Sequence, residues 1–588
     1  MILLLVKNAK KQWVIKMIRG EEQPIYDFLA EIKGQLFIPI YQRKYTWKDE
    51  NREYFWKYLE QIDLEDEHSK HYLHAVLTKV HGSKFKSKNS IRRISIIDGQ
   101  QRILTSALLY CAICAFSKEH DVDFDWENEI YYTILINQGK TGDEKYRIIP
   151  KDIDEDTFKM IVDDLPISLK ETAGTTQIIK TYNFFLNKLT EDNVEDIYYK
   201  FDRFVIGNDV AESHDNPQTL FETINFAGTP LKSFEMVRCY TLMPYDKETQ
   251  KKLYYKYWYP LSKKFNEKEL KQLFVSYDYY YNGSLSGINI MQVLERYDKN
   301  GQTTEEFLKD ICEFANKFEK VIHCNIGISD VDQCIKMITQ KKLLIPVIIR
   351  LYDKFLNNSF KREEFVSCIK LMDSTVVRLI IADASSAGTY LRNIFFNLER
   401  CTSSFQGMWD VITSKKTELK QPKHIVSDSL FENKLLLSNF YKDYSSTFVY
   451  LFLERLNFAG DNGKDYNLNK YEIEHIMPQS PDEHWKDYLG ENYETIISEH
   501  CNRLGNLTLI HEKKNKINSN KSFEDKKKKL EEDGIWLNKD IIHLSHWNQD
   551  TIQNRTVALA KLATNVFSYP TYIDMGVSKN QTVLVGGK

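Results

Sequence analysis

A glutamate, a histidine and two asparagines towards the end of the chain have the types and the order that phosphodiester cleavage requires. Water is a poor nucleophile at neutral pH and needs a positioned base, a role that fits His475. Asn506 is the candidate that holds this imidazole in one orientation through its other ring nitrogen. Mg²⁺ prefers a few oxygen ligands and keeps several waters, and we expect Glu474 and the amide oxygen of Asn515 to supply those ligands. The set predicts a one-metal nuclease centre.

Strand geometry limits this prediction. Consecutive residues of a strand point to opposite faces, so Glu474 and His475 share a site only if the strand is distorted or a turn intervenes. Pro478 indicates that the strand ends early. Each residue also has a plainer interpretation: a structural histidine, an asparagine bonded to a turn, and a helix cap at Asn515. The four residues together favour the catalytic interpretation.

The sequences around these residues resemble the HNH, or His-Me finger, nucleases. In that group a ββα unit carries an acidic-His pair, then an Asn, then a His or Asn on the following helix. Segments 471–480 (YEIEHIMPQS), 503–510 (RLGNLTLI) and 515–523 (NKINSNKSF) resemble the branch found at the C-terminus of GmrSD-like restriction enzymes. One departure is Glu474, where many HNH enzymes have Asp, and this longer side chain leaves the metal preference open.

A second motif lies between a strand-like and a helix-like segment. Segment 92–97 is short and rich in β-branched residues, whereas 103–116 is mainly apolar, with Ala, Leu and Cys. A glycine turn between them would leave the first helical N–H groups facing an anionic phosphate, and the motif's arginine can clamp a phosphate through two parallel bonds. The two glutamines would read a base or sugar, and the aspartate would hold a metal or a ribose hydroxyl. An Asp-Gly pair is also an ordinary turn. The motif consists of Asp98, Gly99, Gln100, Gln101 and Arg102.

Two further segments support a nucleotide site. Segments 38–47 (IPIYQRKYTW) and 221–231 (FETINFAGTPL), together with 98–102, resemble the N-terminal domain of the same GmrSD-like group, whose fold is similar to ParB and sulfiredoxin nucleotide-binding domains. That resemblance implies binding or hydrolysis of a nucleoside triphosphate, GTP or ATP, around Gln42, Arg43 and the 98–102 motif. A Walker loop is not present at 139–141 (GKT), because the glycine required earlier is an isoleucine.

Length and composition predict several α+β domains. The chain has 588 residues, which is more than a single hydrophobic core usually supports. Its composition, 42% hydrophobic and 28% charged, is ordinary for a globular protein. We expect a ParB/sulfiredoxin-like α/β nucleotide domain at 1–240 and a mainly helical spacer at 241–440. A ββα-metal (HNH) nuclease domain with added helices would follow at 441–570, and a flexible tail at 571–588.

Charge is distributed unevenly. A net charge of −3 is unusual for a nucleic-acid binder, but local distribution matters more than the sum. Stretch 79–93 contains basic residues and no acidic one, and 513–529 contains eight lysines against two acidic residues. A DNA backbone would lie along the second stretch, beside the proposed cleavage centre. The lysines expected to contact DNA are Lys513, Lys514, Lys516 and Lys521.

The remaining features indicate a cytoplasmic protein without a membrane partner. The apolar run 2–6 is far shorter than a bilayer span and lacks a cleavage site. Nine cysteines are scattered, and Cys111 and Cys114 lie in an apolar segment without a second ligand pair, so core thiols are expected. A homodimer is left open.

The motifs and the resemblance together imply a nucleotide-regulated, Mg²⁺-dependent DNA endonuclease of the modification-dependent, type IV restriction kind. Its expected role is anti-phage defence, and its expected substrate is modified phage DNA. Two alternatives stay open: a non-cleaving, nucleotide-gated DNA-binding regulator, and an RNA-cutting toxin. The sequence leaves the recognised DNA modification open.

Overall fold

The structure is a computed structural model that separates into two compact units, Met1–Asn266 and Glu267–Lys588. Both helices and strands are present, which confirms the predicted α+β class. The described residues are 2–7, 13–18, 21–32, 34–81, 91–151, 153–163, 176–211, 232–283, 293, 297, 301–383, 385–395, 398–413, 426–464, 466, 468–512 and 521–570.

A six-stranded mixed sheet is the centre of the first unit, with strand order β3-β8-β5-β6-β4-β7. Strand β4 runs parallel to β6 and β7, and β5 runs parallel to β8, whereas β3–β8 and β5–β6 are antiparallel. A separate antiparallel hairpin joins β1 and β2. The strands are β1 (Ile2–Lys7), β2 (Trp13–Ile18), β3 (Glu21–Pro24), β4 (Gly34–Phe37), β5 (His71–His81), β6 (Arg92–Asp98), β7 (Ile148–Ile149) and β8 (Phe204–Ala211).

Helix α3 is the hydrophobic centre of this unit. From Ile103 to Phe116 its residues are mainly apolar or small, and nearly all of them are buried, so this part of the helix is covered on every side, as expected for a helix without a polar face. The helices of the unit are α1 (Ile25–Glu31), α2 (Asp49–Glu60), α3 (Gln100–Glu119), α4 (Ile153–Val162), α5 (Gln177–Lys188), α6 (Val194–Asp202), α7 (Ser233–Leu242), α8 (Lys247–Leu253) and α9 (Tyr259–Lys264). Short segments of other helix types are Glu127–Leu135, Gly142–Lys145 and Tyr254–Trp258.

The turn between β6 and α3 confirms the strand-turn-helix prediction for the 98–102 motif. Gly99 is the N-cap of α3 and has a φ of +92°. A Cβ there would lie 2.7 Å from the Cγ2 of Val76 and 3.2 Å from the Nη2 of Arg102. Only glycine meets both requirements, because it tolerates a positive φ and has no side chain.

The second unit begins with a succession of helices. Their apolar stripes recur at three- and four-residue spacing and pack against each other. They are α10 (Glu267–Asn282), α11 (Thr304–Ile322), α12 (Ser329–Ile338), α13 (Ile345–Leu356), α14 (Arg362–Ala382), α15 (Ala387–Ile394), α16 (Leu398–Cys401), α17 (Phe405–Thr413), α18 (Asp428–Leu437), α19 (Phe440–Asp443) and α20 (Ser446–Gly460), with a 3₁₀ turn at Lys342–Leu344.

A two-stranded antiparallel sheet followed by a helix closes this unit. The register places His475 opposite Leu507 and Glu474 opposite Thr508. Ser522 caps the helix that follows the second strand, and Asn548 caps the last helix, each by accepting a backbone N–H bond. The elements are β9 (Tyr471–His475), α21 (Glu483–Leu489), α22 (Tyr493–His500), β10 (Leu507–His511), α23 (Phe523–Asp533) and α24 (Gln549–Val566), with 3₁₀ turns at Leu504–Asn506, Trp536–Asn538 and Ile541–His543.

Several smaller predictions concern burial. Cys111 and Cys114 are both buried, which confirms them as core thiols. Trp547 is fully buried in the core around the β9–β10 sheet. None of the helices in the described ranges combines the length and apolar character needed to cross a bilayer.

Replacing Gly99 by alanine tests the turn that positions the 98–102 motif. We expect Gly99→Ala to lower the free energy of unfolding by about 2–4 kcal/mol, because the new methyl group meets both a positive φ and the Val76 side chain. Gly139→Ala is the control, since Gly139 also has a positive φ but no heavy atom within 4 Å of an added Cβ. Urea unfolding that gives equal losses for both variants would contradict the packing argument.

Candidate functional site

Glu474 and His475 are the last two residues of strand β9. His475 is the last residue of the strand, and the next residue, Ile476, donates its backbone N–H to the carbonyl of Asn506 at 3.0 Å. The chain bends directly after His475. The strand therefore ends before Pro478, as predicted, but no turn intervenes between Glu474 and His475, which both lie in β9 in regular register.

Asn506 has a different role from the predicted one. It is fully buried, and its Oδ1 accepts from the backbone N–H of Met477 at 2.8 Å and from the Nε1 of Trp547 at 2.9 Å. Its Nδ2 donates to the carbonyls of Met477 at 2.9 Å and Cys501 at 2.7 Å. These bonds use both donors and both acceptor positions of the amide. Asn506 thus fixes the turn after His475 instead of bonding to the imidazole.

Asn502 is the amide that contacts His475, and the sequence prediction missed it. Its side chain hydrogen-bonds to the imidazole, and its Oδ1 also accepts from the Nε2 of Gln479 at 3.0 Å. Tyr441 lies edge-on to the imidazole, with ring centroids 4.5 Å apart. Asn502 stands between two predicted motifs and belongs to neither, so its role depends on the fold.

The electrostatic surroundings keep His475 neutral. Burial lowers the pKa of His475 to about 4, the hydrogen bond with Asn502 partly raises it, and the Lys526 ammonium lowers it further. The Nε2 atom is buried and has no hydrogen-bond partner among the described residues. A neutral imidazole with a free ring nitrogen can accept a proton.

Glu474 forms a buried ion pair with Lys526. The Nζ of Lys526 donates to the Oε1 of Glu474 at 2.7 Å and to the backbone carbonyl of His475 at 2.8 Å. The exposed fractions of the two side chains are 7% and 1%. Burial raises the pKa of Glu474 and lowers that of Lys526, and each partner opposes the shift of the other. The pair ties helix α23 to the end of β9.

The residues present at this centre do not by themselves form a Mg²⁺ site. One carboxylate, Glu474, is already neutralised by an ammonium group. Within the described ranges, no group of three or more His, Cys, Asp and Glu side chains is placed to hold a metal. The other predicted ligand, Asn515, lies outside the described residues.

The basic stretch after β10 divides into different environments. Lys521 is exposed, and its backbone carbonyl accepts from the Nε1 of Trp485 at 2.9 Å. Lys526 is not part of a solvated face, because it is buried against Glu474. The Nζ of Lys529 is buried without a hydrogen-bond partner in the described structure, and its charge acts on Glu474. Lys513, Lys514 and Lys516 lie outside the described residues.

The first unit contains an open cleft around the 98–102 motif, which we call the N-terminal cleft. It brings together the residues predicted from two separate segments and adds three from helix α7. Segment 221–231 lies outside the described residues. The cleft is lined by Gln42, Arg43, Ile97, Asp98, Gly99, Gln100, Gln101, Arg102, Glu235, Arg238 and Cys239.

Two of the predicted glutamines hold the cleft together. The Nε2 of Gln42 donates to the carbonyls of Ile96 and Ile97, each at 2.8 Å. The Oε1 of Gln101 accepts from the backbone N–H of Thr46 at 2.8 Å. These bonds attach segment 38–47 to β6 and α3. Base or sugar recognition by Gln101 would compete with its existing bonds.

Gln100 and Arg102 keep unused polar atoms at the cleft. The Nη2 of Arg102 donates to Asp98 at 3.1 Å and to the carbonyl of Ala75. Its Nε and the Oε1 of Gln100 are buried with no hydrogen-bond partner among the described residues. The pairing of Asp98 with Arg102 gives the aspartate a positioning role.

Helix α7 contributes Glu235, Arg238 and Cys239, which the sequence prediction missed. The Nε of Arg238 donates to the carbonyl of Tyr41 at 2.8 Å, and the Sγ of Cys239 contacts the same oxygen at 3.5 Å. Almost 200 positions separate these partners. No local spacing in the sequence signals such a contact.

Removing Lys526 tests the buried ion pair. We expect Lys526→Met to lower the free energy of unfolding by about 3–5 kcal/mol, because it leaves Glu474 buried without a counter-charge. In the Lys526→Met/Glu474→Gln double variant, most of this loss should be recovered. Lys528→Met, at an exposed position of the same helix, should change stability by less than about 0.5 kcal/mol. If urea unfolding gives the same small loss of stability for Lys526→Met as for Lys528→Met, the ion pair does not stabilise the fold.

The pH dependence of stability tests the environment of His475. The pKa of His475 falls from 6.5 in the unfolded chain to about 4 in the folded one. The free energy of unfolding is therefore highest above pH 6.5, and it decreases as the pH falls towards 4, because only the unfolded chain takes up the proton in this range. Between pH 7 and pH 5 the wild type should lose about 2 kcal/mol more than His475→Gln. His546→Gln, at an exposed histidine, should follow the wild type. Parallel stability curves for wild type and His475→Gln would show that His475 is not buried in its neutral form.

Comparison with known families assigns both ends of the chain. Residues 25–242 match the N-terminal domain of the GmrSD restriction endonuclease, and residues 425–562 match the C-terminal domain of GmrSD restriction endonucleases. Comparison with individually curated proteins gives no match. The first match contains the N-terminal cleft, and the second contains the His475 centre. The two matches stand in the family's order and together cover more than half of the 588 residues, so the chain belongs to the GmrSD-like type IV restriction endonuclease family.

Proposed function

We propose that this type IV restriction endonuclease cleaves DNA at the His475 centre and that a nucleoside triphosphate bound in the N-terminal cleft regulates it. The observation that carries the cleavage proposal is the buried Nε2 of His475, which has no hydrogen-bond partner among the described residues. A free ring nitrogen in a water-poor site is the acceptor that hydrolysis requires.

In the proposed reaction His475 acts as general base. The water oxygen bonds to phosphorus while the water proton passes to Nε2, and the bond from phosphorus to the leaving sugar oxygen breaks. Asn502 orients the imidazole through its side-chain hydrogen bond. Asn506 supports the same geometry indirectly, because it fixes the turn that follows His475. Such positioning contributes much of the rate in phosphoryl transfer.

Bound DNA would make His475 a stronger proton acceptor. A pKa of about 4 ensures that His475 is unprotonated at neutral pH, but it also makes the imidazole a weak proton acceptor. A phosphodiester carries a negative charge, which stabilises the protonated imidazole and raises its pKa. DNA binding would therefore bring the base closer to the working pH.

Positive charge near the centre comes from helix α23. Lys526 is engaged by Glu474, whereas the buried Nζ of Lys529 has no partner in the described structure. Lys521 is exposed at the start of the same segment. We assign Lys529 and Lys521 to the attraction of the DNA backbone, together with the predicted contacts of Lys513, Lys514 and Lys516.

The order β9, β10, α23 is compatible with the ββα unit of HNH nucleases, which we propose as the identity of this domain. Mg²⁺ dependence is proposed on the resemblance alone, with Glu474 and Asn515 as ligands. To bind Mg²⁺, the carboxylate of Glu474 would first have to give up its bond to Lys526.

The nucleotide proposal depends on the N-terminal cleft and on the resemblance of its lining to ParB/sulfiredoxin-like domains. The cleft starts at the N-terminus of α3, where backbone N–H groups favour anions. Arg43 and Arg102 add guanidinium groups, which bind phosphates through paired bonds. A nuclease that is active at all times would damage host DNA, and nucleotide control is a physical means to restrain it.

A pair of variants separates the two activities. We expect His475→Ala to abolish nicking of plasmid and modified phage DNA, by at least about a hundredfold, and to leave GTP or ATP binding and hydrolysis intact. Arg102→Ala should weaken nucleotide binding while the folded state is retained. The controls are His484→Ala and Arg92→Ala, which change exposed residues of the same regions. Cleavage is measured with each nucleotide, with Mg²⁺ and with a chelator.

The outcomes also separate the alternatives. Cleavage that survives in His475→Ala would disprove the assignment of the base. A wild type that binds DNA in a nucleotide-dependent way but gives no product would indicate a regulator, and preferential cleavage of RNA would indicate a toxin. Equal cleavage in Mg²⁺ and in the chelator would disprove the metal proposal.

A further inference from the structure

We propose that Arg238 of helix α7 is a ligand for the oligophosphate of the nucleoside triphosphate, which makes it the third guanidinium of the N-terminal cleft. This inference rests on the proposed nucleotide site and names a residue that neither the sequence motifs nor the resemblance assigned. It commits to one ligand class, a chain of linked phosphates, as opposed to a base or a sugar.

The first argument is the position of the Arg238 side chain. One edge is fixed, because Nε donates to the carbonyl of Tyr41 at 2.8 Å. Only 8% of the residue is exposed, yet its Nη2 has no hydrogen-bond partner among the described residues. A buried guanidinium N–H without an acceptor is costly, so native structures normally supply one. Tyr41 directly precedes Gln42 and Arg43, so the arginine is held against the predicted nucleotide segment.

The second argument is convergence in one cleft. The Nε of Arg102 is also a buried donor without a partner in the described structure. Arg102 comes from α3 and Arg238 from α7, and both line the same space as Arg43. Donors from separate elements that lack acceptors in one cleft are best satisfied by a single ligand rich in acceptor oxygens.

The third argument is charge. Three arginines line the cleft with two acidic residues, Asp98 and Glu235. Asp98 is already paired with Arg102, and Glu235 accepts from the backbone N–H of Lys232 at 3.0 Å. The lining therefore has an excess of positive charge for an anion.

Arg147 of the same unit is a matched control for a purely structural arginine. Its Nη1 donates to the backbone carbonyls of Leu29 and Ala30, and its Nε is buried without a partner in the described ranges, so its bonding resembles that of Arg238. It does not line the N-terminal cleft. If Arg238 is only structural, replacing either arginine should change phosphate binding to a similar extent. If Arg238 contacts the phosphates, only its replacement should weaken binding.

The test measures binding of inorganic tripolyphosphate, GTP and ATP by calorimetry to the full-length wild type, Arg238→Met and Arg147→Met. We expect Arg238→Met to weaken tripolyphosphate binding by about tenfold or more, because it removes a charge-assisted contact, and Arg147→Met to remain within about twofold of the wild type. Arg238→Lys should fall between them, since it keeps the charge but not the planar fork. Addition of tripolyphosphate to the wild type should also slow hydrogen exchange at the amides of Ser233–Leu242.

The results separate this inference from the proposed function. If the wild type binds tripolyphosphate and Arg238→Met binds it equally well, the role of Arg238 is disproved and the nucleotide site stands. If the wild type binds neither tripolyphosphate nor nucleotide, both are disproved, while cleavage at His475 is unaffected. If Arg238→Met does not fold, the exchange measurement on the wild type decides, and unchanged exchange in α7 overturns the proposal.

Discussion

The saturated amide of Asn506 is the constraint on which the C-terminal centre depends. Its four hydrogen bonds join the turn after His475, the segment before β10 and the core around Trp547. Gly505 lies in the 3₁₀ turn before β10 and lets that turn approach α24 so closely that an added Cβ would clash with the carbonyl of Ile552. Arg555 closes the arrangement by donating to the carbonyls of Gly505 and Leu507. The position of His475 is therefore fixed by the bonds of Asn506 to the backbone as well as by strand β9.

Burial gives the charged groups of this centre their properties. It keeps His475 neutral, and it raises the cost of leaving either Glu474 or Lys526 without its partner. The same desolvation lets a phosphate charge act strongly on the imidazole, because screening by water is weak in a buried site. A pair that stabilises the fold thus also sets the conditions under which the base works. This explains why a helix that follows the predicted motif belongs to the centre.

Local patterns in the sequence predicted the elements, whereas the contacts of the side chains depended on distant residues. The β-branched run before Asp98 and the apolar run after Arg102 predicted a strand and a helix correctly, since each has one dominant periodicity. The need for glycine at position 99 was also visible. The bonds of Asn506 were not, because Met477 and Trp547 lie 29 and 41 positions away.

Lys526 shows the same limit most clearly. Within a lysine-rich stretch it has the composition of a solvated face, but the three-residue spacing of a helix brings it, and Lys529, towards Glu474. Composition cannot reveal which lysine of such a run is buried, since that depends on where the helix docks. Arg238 escaped prediction for the same reason, because its partner belongs to a segment almost 200 residues earlier.

Both candidate sites have buried polar atoms whose hydrogen-bonding capacity is unused within the described residues. At the His475 centre these are the imidazole Nε2 and the ammonium of Lys529, and at the N-terminal cleft they include donors of Arg102 and Arg238. Each such group opposes folding, since burial removes water without supplying a protein partner. Where such a group lines a ligand site, a bound ligand recovers that cost, and the recovered energy appears as binding and as added stability of the bound state. Apart from the imidazole and the Oε1 of Gln100, these groups are cationic donors, so the ligand that recovers most energy at either site is an anion rich in oxygen acceptors. A DNA phosphate meets that requirement at one site and a nucleoside triphosphate at the other, which is why the two proposed activities follow from a single physical principle.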